Sequence, residues 1–185
     1  MALTIQKQKN IPDVLLLQHK THGDHRGSLT EIYQQKEFQN SSIDLSFVQD
    51  NFVRSSQGTL RGLHYQIKNP QGKLLTVLNG QIFDVVVDLR KSSSTFGHHV
   101  SFFLTGDKLE QIWIPPEFAH GFYCLSGSAD VLYKTTDFYS PKWDRTLLWN
   151  DPDLEINWPI NAEIGIMLSE KDKRGTPLRA AETYP

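Results

Sequence analysis

The sequence predicts an all-β protein, a β-sandwich or barrel of the jelly-roll kind with a few short helices. Short apolar and β-branched runs recur along the chain, and turn-forming Gly, Pro, Asn, Asp and Ser residues separate them. No long amphipathic segment lies between these runs. A parallel α/β sheet needs such segments as crossover helices, so that class is disfavoured.

The predicted elements follow one another at short intervals. A short helix is predicted near residues 34–39, and a second one near the C-terminus. Turn signals such as Pro115-Pro116 and Ser140-Pro141 separate the later strands. The predicted strands are residues 28–33, 46–49, 99–104, 111–114, 129–135 and 146–149.

The strongest local signal spans residues 73–88, KLLTVLNGQIFDVVVD. Asn79-Gly80 stands between two apolar runs that are rich in β-branched residues. Asn-Gly tolerates the positive φ angles that a type I′ turn requires. The segment therefore predicts a β-hairpin.

Composition predicts one globular domain over residues 1–185, because about 100–200 residues is the usual length of a domain. With 19 Lys and Arg against 21 Asp and Glu, the net charge of -2 provides no global attraction for nucleic acid or an anionic membrane. The N-terminus lacks the pattern of a secretory signal, and no apolar run is long enough to span a bilayer. The single cysteine, Cys124, lies in an apolar stretch and is expected to be a buried thiol. A cytoplasmic location is expected.

Two polar and aromatic segments stand out from the predicted strands. The first, residues 47–66, contains Arg61 and His64, which strand alternation places on opposite faces unless a bulge turns the chain. The second, residues 113–122, contains His120 between two small residues. For each polar residue taken alone, a turn position or a satisfied core hydrogen bond is the favoured explanation. Periodicity alone does not make these segments a site.

The seven histidines raise the alternative of a metal site. Their spacing disfavours it, because His64 and His120 have no neighbouring histidine at a ligand-like interval. His98 and His99 are consecutive, so on a strand they point to opposite faces. Gly-rich phosphate loops and Cys-x-x-Cys pairs are also missing from the sequence, so neither a metal nor a cofactor is expected.

Several longer motifs occur in order between about residue 26 and residue 172. They are RG (26–27) with Glu31, FVQDN (47–51), LRGLHYQ (60–66), GQIFDV (80–85), IPPEFAHGF (114–122), YKTT (133–136), WNDP (149–152) and LSEKD (168–172). Together they resemble the dTDP-4-dehydrorhamnose 3,5-epimerase family, and the resemblance covers most of the chain. It implies a cupin-type jelly roll, a homodimer without metal or cofactor, and the substrate dTDP-4-dehydro-6-deoxy-D-glucose.

The resemblance also implies four catalytic groups. The ketone at carbon 4 acidifies the C–H bonds of carbons 3 and 5, because either carbanion delocalises into the same enolate oxygen. By this resemblance His64 is the base, and Asp172 orients and balances its ring. Tyr133 returns a proton from the opposite face of the sugar. Lys73 is the cation beside the oxygen on which enolate charge develops.

The remaining residues of the resemblance are substrate-binding groups. Arg26 and Arg61 resemble diphosphate or sugar contacts, and Tyr139 resembles an aromatic ring that stacks on thymine. Some of these groups are expected from the partner subunit, through an exchanged N-terminal strand. The other polar contacts implied are Glu31, Gln49, Asp50, Asn51, His120, Asp144 and Lys171.

This sequence departs from the family pattern at three positions. Asp144 stands where a glutamate is common, which shortens the reach of one nucleotide contact. Phe52 and Phe138 also replace residues that are frequent in the family. These departures leave the nucleotide-base preference and the number of inverted carbons open. The alternatives are an enzyme of the same fold that inverts a single carbon, a nucleotide-sugar binding module without catalysis, and a metal-dependent cupin.

Overall fold

The computed structural model describes residues 3–39, 41, 43 and 46–185. Two antiparallel β-sheets pack face to face and form the framework of the fold, with irregular segments covering their outer surfaces. The expectation of an all-β jelly roll with short helices is confirmed. Neither of the two helices in the described ranges has the length and apolar character that crossing a membrane requires.

The larger sheet has six strands, which are β1 (Thr4–Lys7), β2 (Leu15–Gln18), β5 (Gln49–Ser56), β7 (Lys73–Asn79), β10 (Gln111–Ile114) and β12 (Ser128–Thr135). Their order across the sheet is β1-β2-β10-β7-β12-β5, and every neighbouring pair is antiparallel.

The smaller sheet has five strands, which are β6 (Leu60–Gln66), β8 (Gln81–Asp88), β9 (His99–Thr105), β11 (Phe118–Cys124) and β13 (Asp144–Thr146). Their order is β13-β6-β11-β8-β9. The remaining elements are the hairpin β3 (Thr21–Asp24) and β4 (Gly27–Thr30), the helices α1 (Gln35–Gln39) and α2 (Glu170–Lys173), and a 3-10 turn at Leu178–Ala180.

The main core lies between the two sheets. Alternation along β7 turns Leu75 and Val77 inward, where they meet Ile82 and Val86 of β8. Each fully buried aliphatic side chain of this kind stabilises the fold by about 1.5–3 kcal/mol. The inward face of β7 begins with Lys73, where the apolar core gives way to a cavity.

A second core covers the outer face of the smaller sheet. Residues 147–184 contribute Leu147, Leu154 and Tyr184 to it, packed against strand residues such as Leu63. This C-terminal segment brings α2 against β6. The contact matters for the site, because it places residue 172 directly behind residue 64.

The hairpin predicted for residues 73–88 is wrong. β7 and β8 flank Asn79-Gly80 as expected, but β7 pairs with β10 and β12, whereas β8 pairs with β9 and β11. Gly80 has φ +77°, and a Cβ there would lie 2.1 Å from the carbonyl oxygen of Ser128, so the turn packs against β12. Both strands are buried on both faces, and the chain therefore crosses between sheets to give each strand two neighbours.

The other predicted elements differ in accuracy. The strands at 99–104, 111–114 and 129–135 and the helix at 34–39 are confirmed to within one residue, and α2 confirms a short helix near the C-terminus. The strand at 28–33 ends at Thr30, the one at 46–49 begins only at Gln49, and the one at 146–149 lies earlier, at Asp144–Thr146. Cys124 is confirmed as a fully buried thiol.

Candidate active site

A cavity of about 390 Å³ opens between the two sheets at the end of the core. Tyr133 and Lys73 lie on its wall from the larger sheet, and His64 and His120 lie on its wall from the smaller sheet. Ten of the residues implied by the resemblance line it, and these are Gln49, Asn51, Arg61, His64, Lys73, His120, Tyr133, Tyr139, Asp144 and Lys171.

His64 and Asp172 form an imidazole–carboxylate pair. The Nε2 atom of His64 lies 2.5 Å from Oδ1 of Asp172. The His64 side chain is 32% exposed to the cavity, while that of Asp172 is 4% exposed behind it. Nε2 of His64 contacts Asp172, and Nδ1 makes no hydrogen bond to any described residue. Nδ1 is therefore the ring nitrogen available to a ligand.

Asp172 is held in place by its own helix terminus. Ser169 is the N-cap of α2: its Oγ accepts a hydrogen bond from the backbone N–H of Asp172 and donates one to Oδ2 of the same residue. Burial works to raise the pKa of Asp172, but hydrogen bonds from His64, Ser169 and the Gly62 backbone outweigh it and leave this pKa below its usual value. The carboxylate is therefore ionised at neutral pH.

The environment keeps the His64 ring neutral at physiological pH. Burial lowers its pKa, the Asp172 carboxylate works in the opposite direction, and the nearby cations Lys171 and Lys73 lower it again. The net result is a pKa below the ordinary histidine value. A neutral ring that donates through Nε2 has its lone pair on Nδ1, which is the form that a general base needs.

A bulge in β6 brings Arg61 and His64 to the same wall. His120 of β11 pairs with His64 of β6. Phe122 lies two residues after His120, but it pairs with Arg61, which lies three residues before His64. The extra residue reverses the alternation, so Arg61 also faces the cavity, where its Nε donates to Ser55 Oγ at 3.0 Å. Of the two arrangements that the sequence left open, the structure thus has the one with a bulge.

Glycine is required on both sides of this bulge. Gly62 has φ +124°, and a Cβ there would lie 2.5 Å from the Cα of Gly121. A Cβ on Gly121 would lie 2.6 Å from the carbonyl oxygen of Arg61. The two backbones therefore approach each other more closely than any other residue type allows.

Lys73 and Tyr133 project from the opposite sheet. The Nζ of Lys73 donates to the backbone carbonyl of His64 at 3.3 Å. Burial lowers the pKa of Lys73 to about 8, against the opposing influence of the Asp144 and Asp84 carboxylates. Burial raises the pKa of Tyr133, only partly offset by Arg61, so the phenol keeps its proton at neutral pH. The cavity thus has a neutral imidazole on one wall and a protonated phenol on the other.

The mouth of the cavity carries a polar cluster. Asp144 accepts hydrogen bonds through Oδ2 from the Tyr139 hydroxyl, at 2.9 Å, and from the Lys171 ammonium. Gln49 accepts a hydrogen bond from the Tyr139 backbone N–H. Gln66, a residue for which the sequence predicted no role, binds the Phe138 carbonyl and the Ser140 N–H and so holds this loop.

His120 forms a second imidazole–carboxylate pair, with a residue for which the sequence predicted no role. Its Nε2 lies 2.7 Å from Oδ2 of Asp84, and Asp84 is fully buried. The available signal was a single carboxylate in the middle of an apolar run in β8, since isolated acidic residues are rarely buried without a partner.

Besides Asp172, which lies behind His64, three residues implied by the resemblance do not line the cavity of this chain. Asp50 is on the outer face of β5, where it binds the ammonium of Lys134 at 2.8 Å. Arg26 lies at the turn between β3 and β4, with its side chain 79% exposed and paired with Asp24. Glu31 lies just after β4, where it accepts a hydrogen bond from Gln34.

The described residues contain no cluster of three or more His, Cys, Asp or Glu side chains with a geometry suited to a metal ion. The carboxylates in and behind the cavity instead have different partners: Asp172 contacts His64, Asp84 contacts His120, and Asp144 contacts Tyr139 and Lys171.

Residues 8–180 match the sequence model of the family described as dTDP-4-dehydrorhamnose 3,5-epimerase. A curated relative with that description, from Pseudomonas aeruginosa, is 48% identical over 176 residues, or 95% of this chain and 96% of the relative.

Two crystal structures have the same fold. The dTDP-6-deoxy-D-glucose-3,5-epimerase of Legionella pneumophila, in complex with dTDP-4-keto-L-rhamnose, has a TM-score of 0.93 and 42% identity over 98% of this chain and 95% of that one. The dTDP-4-dehydrorhamnose 3,5-epimerase of Bacillus anthracis, with TDP and PPi bound, has a TM-score of 0.89 and 40% identity over 95% of this chain and 99% of that one. With this agreement in sequence, fold and coverage, the chain belongs to the dTDP-4-dehydrorhamnose 3,5-epimerase family.

Proposed function

We propose that this chain inverts carbons 3 and 5 of dTDP-4-dehydro-6-deoxy-D-glucose to give dTDP-4-dehydro-L-rhamnose. The observation that carries the proposal is the two-walled cavity. His64 and its carboxylate lie on one sheet, and the Tyr133 phenol lies on the other. Inversion requires that a proton leave one face of the sugar and return to the other, which groups on opposite walls can achieve.

In the proposed mechanism, His64 Nδ1 accepts the proton from carbon 3 or carbon 5. The electron pair of the broken C–H bond forms a C=C bond to carbon 4, and the carbonyl electrons move onto the oxygen. The Lys73 ammonium stabilises this developing enolate, a preorganised interaction that is often the largest catalytic contribution. The Tyr133 hydroxyl then protonates the carbon from the opposite face, and both side chains recover their starting protonation by exchange with solvent.

The mouth of the cavity supplies the proposed nucleotide site. Arg61 and Lys171 are the cations best placed for the diphosphate, and Tyr139 presents an exposed ring for the base. Lys171 is paired with Asp144 in the free protein. A bound diphosphate would therefore compete with Asp144 for this ammonium.

We also propose that the enzyme acts as a homodimer with shared sites. Arg26 and Glu31 lie outside the cavity of their own chain, on or beside a hairpin that is almost entirely exposed. Leu29 on this hairpin is 71% exposed, and Phe52 on the outer face of β5 is 57% exposed. A second copy of the chain could bury this apolar surface. Mixing the variants Arg26→Ala and His64→Ala tests this: each is expected to be inactive alone, and shared sites would restore part of the activity in the mixture.

A cytoplasmic location is part of the proposal. The only thiol is buried and forms no disulfide, as is usual in a reducing compartment. Cell fractionation with an antibody against the protein tests the location directly.

The activity is tested by incubating the protein with the 4-keto sugar nucleotide and determining the product configuration by NMR. Inversion at both carbons is expected. Inversion at one carbon only would identify the single-carbon enzyme, and binding without turnover would identify the non-catalytic module. His64→Ala is expected to abolish turnover while dTDP binding is retained, because the change leaves the mouth of the cavity intact.

A further inference from the structure

Asp84 is a buried carboxylate with an incomplete set of hydrogen bonds. It lies on the inward face of β8 between Ile82 and Val86, and it is fully buried. Oδ2 accepts a hydrogen bond from Nε2 of His120 at 2.7 Å, but Oδ1 has no partner among the described residues. A charge in such surroundings is costly unless cations or further donors balance it.

A balancing charge comes from the opposite sheet. Lys73 occupies the inward position at the start of β7, and its ammonium interacts electrostatically with Asp84. The same ammonium donates to the His64 carbonyl, on the strand that pairs with β11. Asp84 therefore lies behind two cavity-lining groups, Lys73 and His120.

We propose that Asp84 is a positioning residue for Lys73 and His120, two side chains that would lie near the enolate oxygen of the substrate. Through Oδ2 it fixes the ring of His120 with Nδ1 as the nitrogen free to face the substrate, and as a buried anion it balances the charge of Lys73. Both side chains are thereby held toward the oxygen on carbon 4. The inference rests on the proposed epimerase function and adds a residue that does not touch the substrate.

The first consequence is a shift in pH dependence. The titratable groups around Lys73 are His64, Asp84, His120, Tyr133, Asp144 and Lys171. Of these, Asp144 and Asp84 raise the pKa of Lys73 and Lys171 lowers it. Replacing Asp84 by a neutral residue of the same shape removes one of the two raising influences. The Lys73 ammonium then loses its proton at lower pH.

The experiment compares Asp84→Asn with the wild type in kcat, KM and pH profile. We expect kcat to fall by about 10- to 100-fold, the loss typical of removing the partner that orients a functional imidazole. KM is expected to change little, and the alkaline limb of the kcat profile is expected to move to lower pH. Asp151→Asn is the matched control, because Asp151 is also a buried carboxylate but accepts backbone N–H groups outside the cavity. It should leave the alkaline limb in place.

Wild-type activity in Asp84→Asn, or a loss of kcat with an unmoved alkaline limb, would overturn the proposal. A second measurement needs no variant: nitrogen-15 NMR of the His120 ring in the wild type should show a proton on Nε2. A ring with Nε2 unprotonated would contradict the proposed contact with Asp84. If instead the wild type exchanges neither carbon-bound proton, the epimerase function fails, and the NMR result still tests the His120–Asp84 pair by itself.

Discussion

Replacing Asp172 by asparagine tests the base assignment most sharply. Asparagine has nearly the same shape, so the packing behind His64 is preserved and only the charge and the acceptor are changed. The structure predicts two effects. The ring loses the hydrogen bond across the 2.5 Å contact, and the asparagine NH2 can donate to Nε2, which moves the ring proton to Nδ1 and blocks the base.

The size of the effect follows from the contact. A hydrogen bond to a charged group contributes about 1.5–3 kcal/mol, and about 1.4 kcal/mol corresponds to a factor of ten in rate. The lost bond alone therefore predicts a fall in kcat of about 10- to 150-fold. The wrong tautomer increases the loss, to a total between about 10² and 10⁴.

The assay measures kcat by NMR detection of product and dTDP affinity by calorimetry. We expect kcat to fall while the Kd for dTDP stays near the wild-type value, because Asp172 lies behind the ring and does not line the cavity. Asp151→Asn again controls for the loss of a buried carboxylate elsewhere. An unchanged kcat would refute the reasoning, and so would an equal loss of kcat and dTDP affinity.

Three further predictions follow from the site. Tyr133→Phe should abolish net inversion but retain exchange of the carbon-bound protons with deuterated solvent; loss of both to the same extent, measured by NMR, would exclude the acid role. Gly62→Ala should lower stability by about 1–3 kcal/mol, seen as a lower Tm, because its methyl group would overlap the Cα of Gly121. In the pH profile of kcat, activity should persist below the ordinary histidine pKa, since burial lowers the pKa of His64 and the base must be neutral. Activity should fall above about pH 8 as Lys73 loses its proton; an alkaline limb well above that value would contradict the role of Lys73.

Much of the site could be predicted because its side chains come from regular strands. Gln49 and Asn51 on β5 share one face by alternation, and Tyr133 follows Val131 on the inward face of β12. The proposed role of each came from the resemblance. The residue types and their spacing alone also fitted ordinary core and turn positions.

The features that the sequence did not predict depend on tertiary contacts. The residue types of Asn79-Gly80 are those of a hairpin turn. The turn connects two different sheets because both flanking strands pair with other strands and not with each other. Asp84 gains a proposed role only because β11 brings His120 to it. Asp50 matched a motif, but alternation along β5 points it away from the cavity.

The central claim is that one imidazole removes the protons from both carbons that flank the ketone. Incubating the wild-type protein with dTDP-4-dehydro-6-deoxy-D-glucose in deuterated water, with proton NMR of the sugar, measures this directly. The account predicts deuterium at carbon 3 and carbon 5 in the wild type and at neither carbon in His64→Ala. Deuterium at both carbons in His64→Ala, at rates close to the wild type, would contradict it.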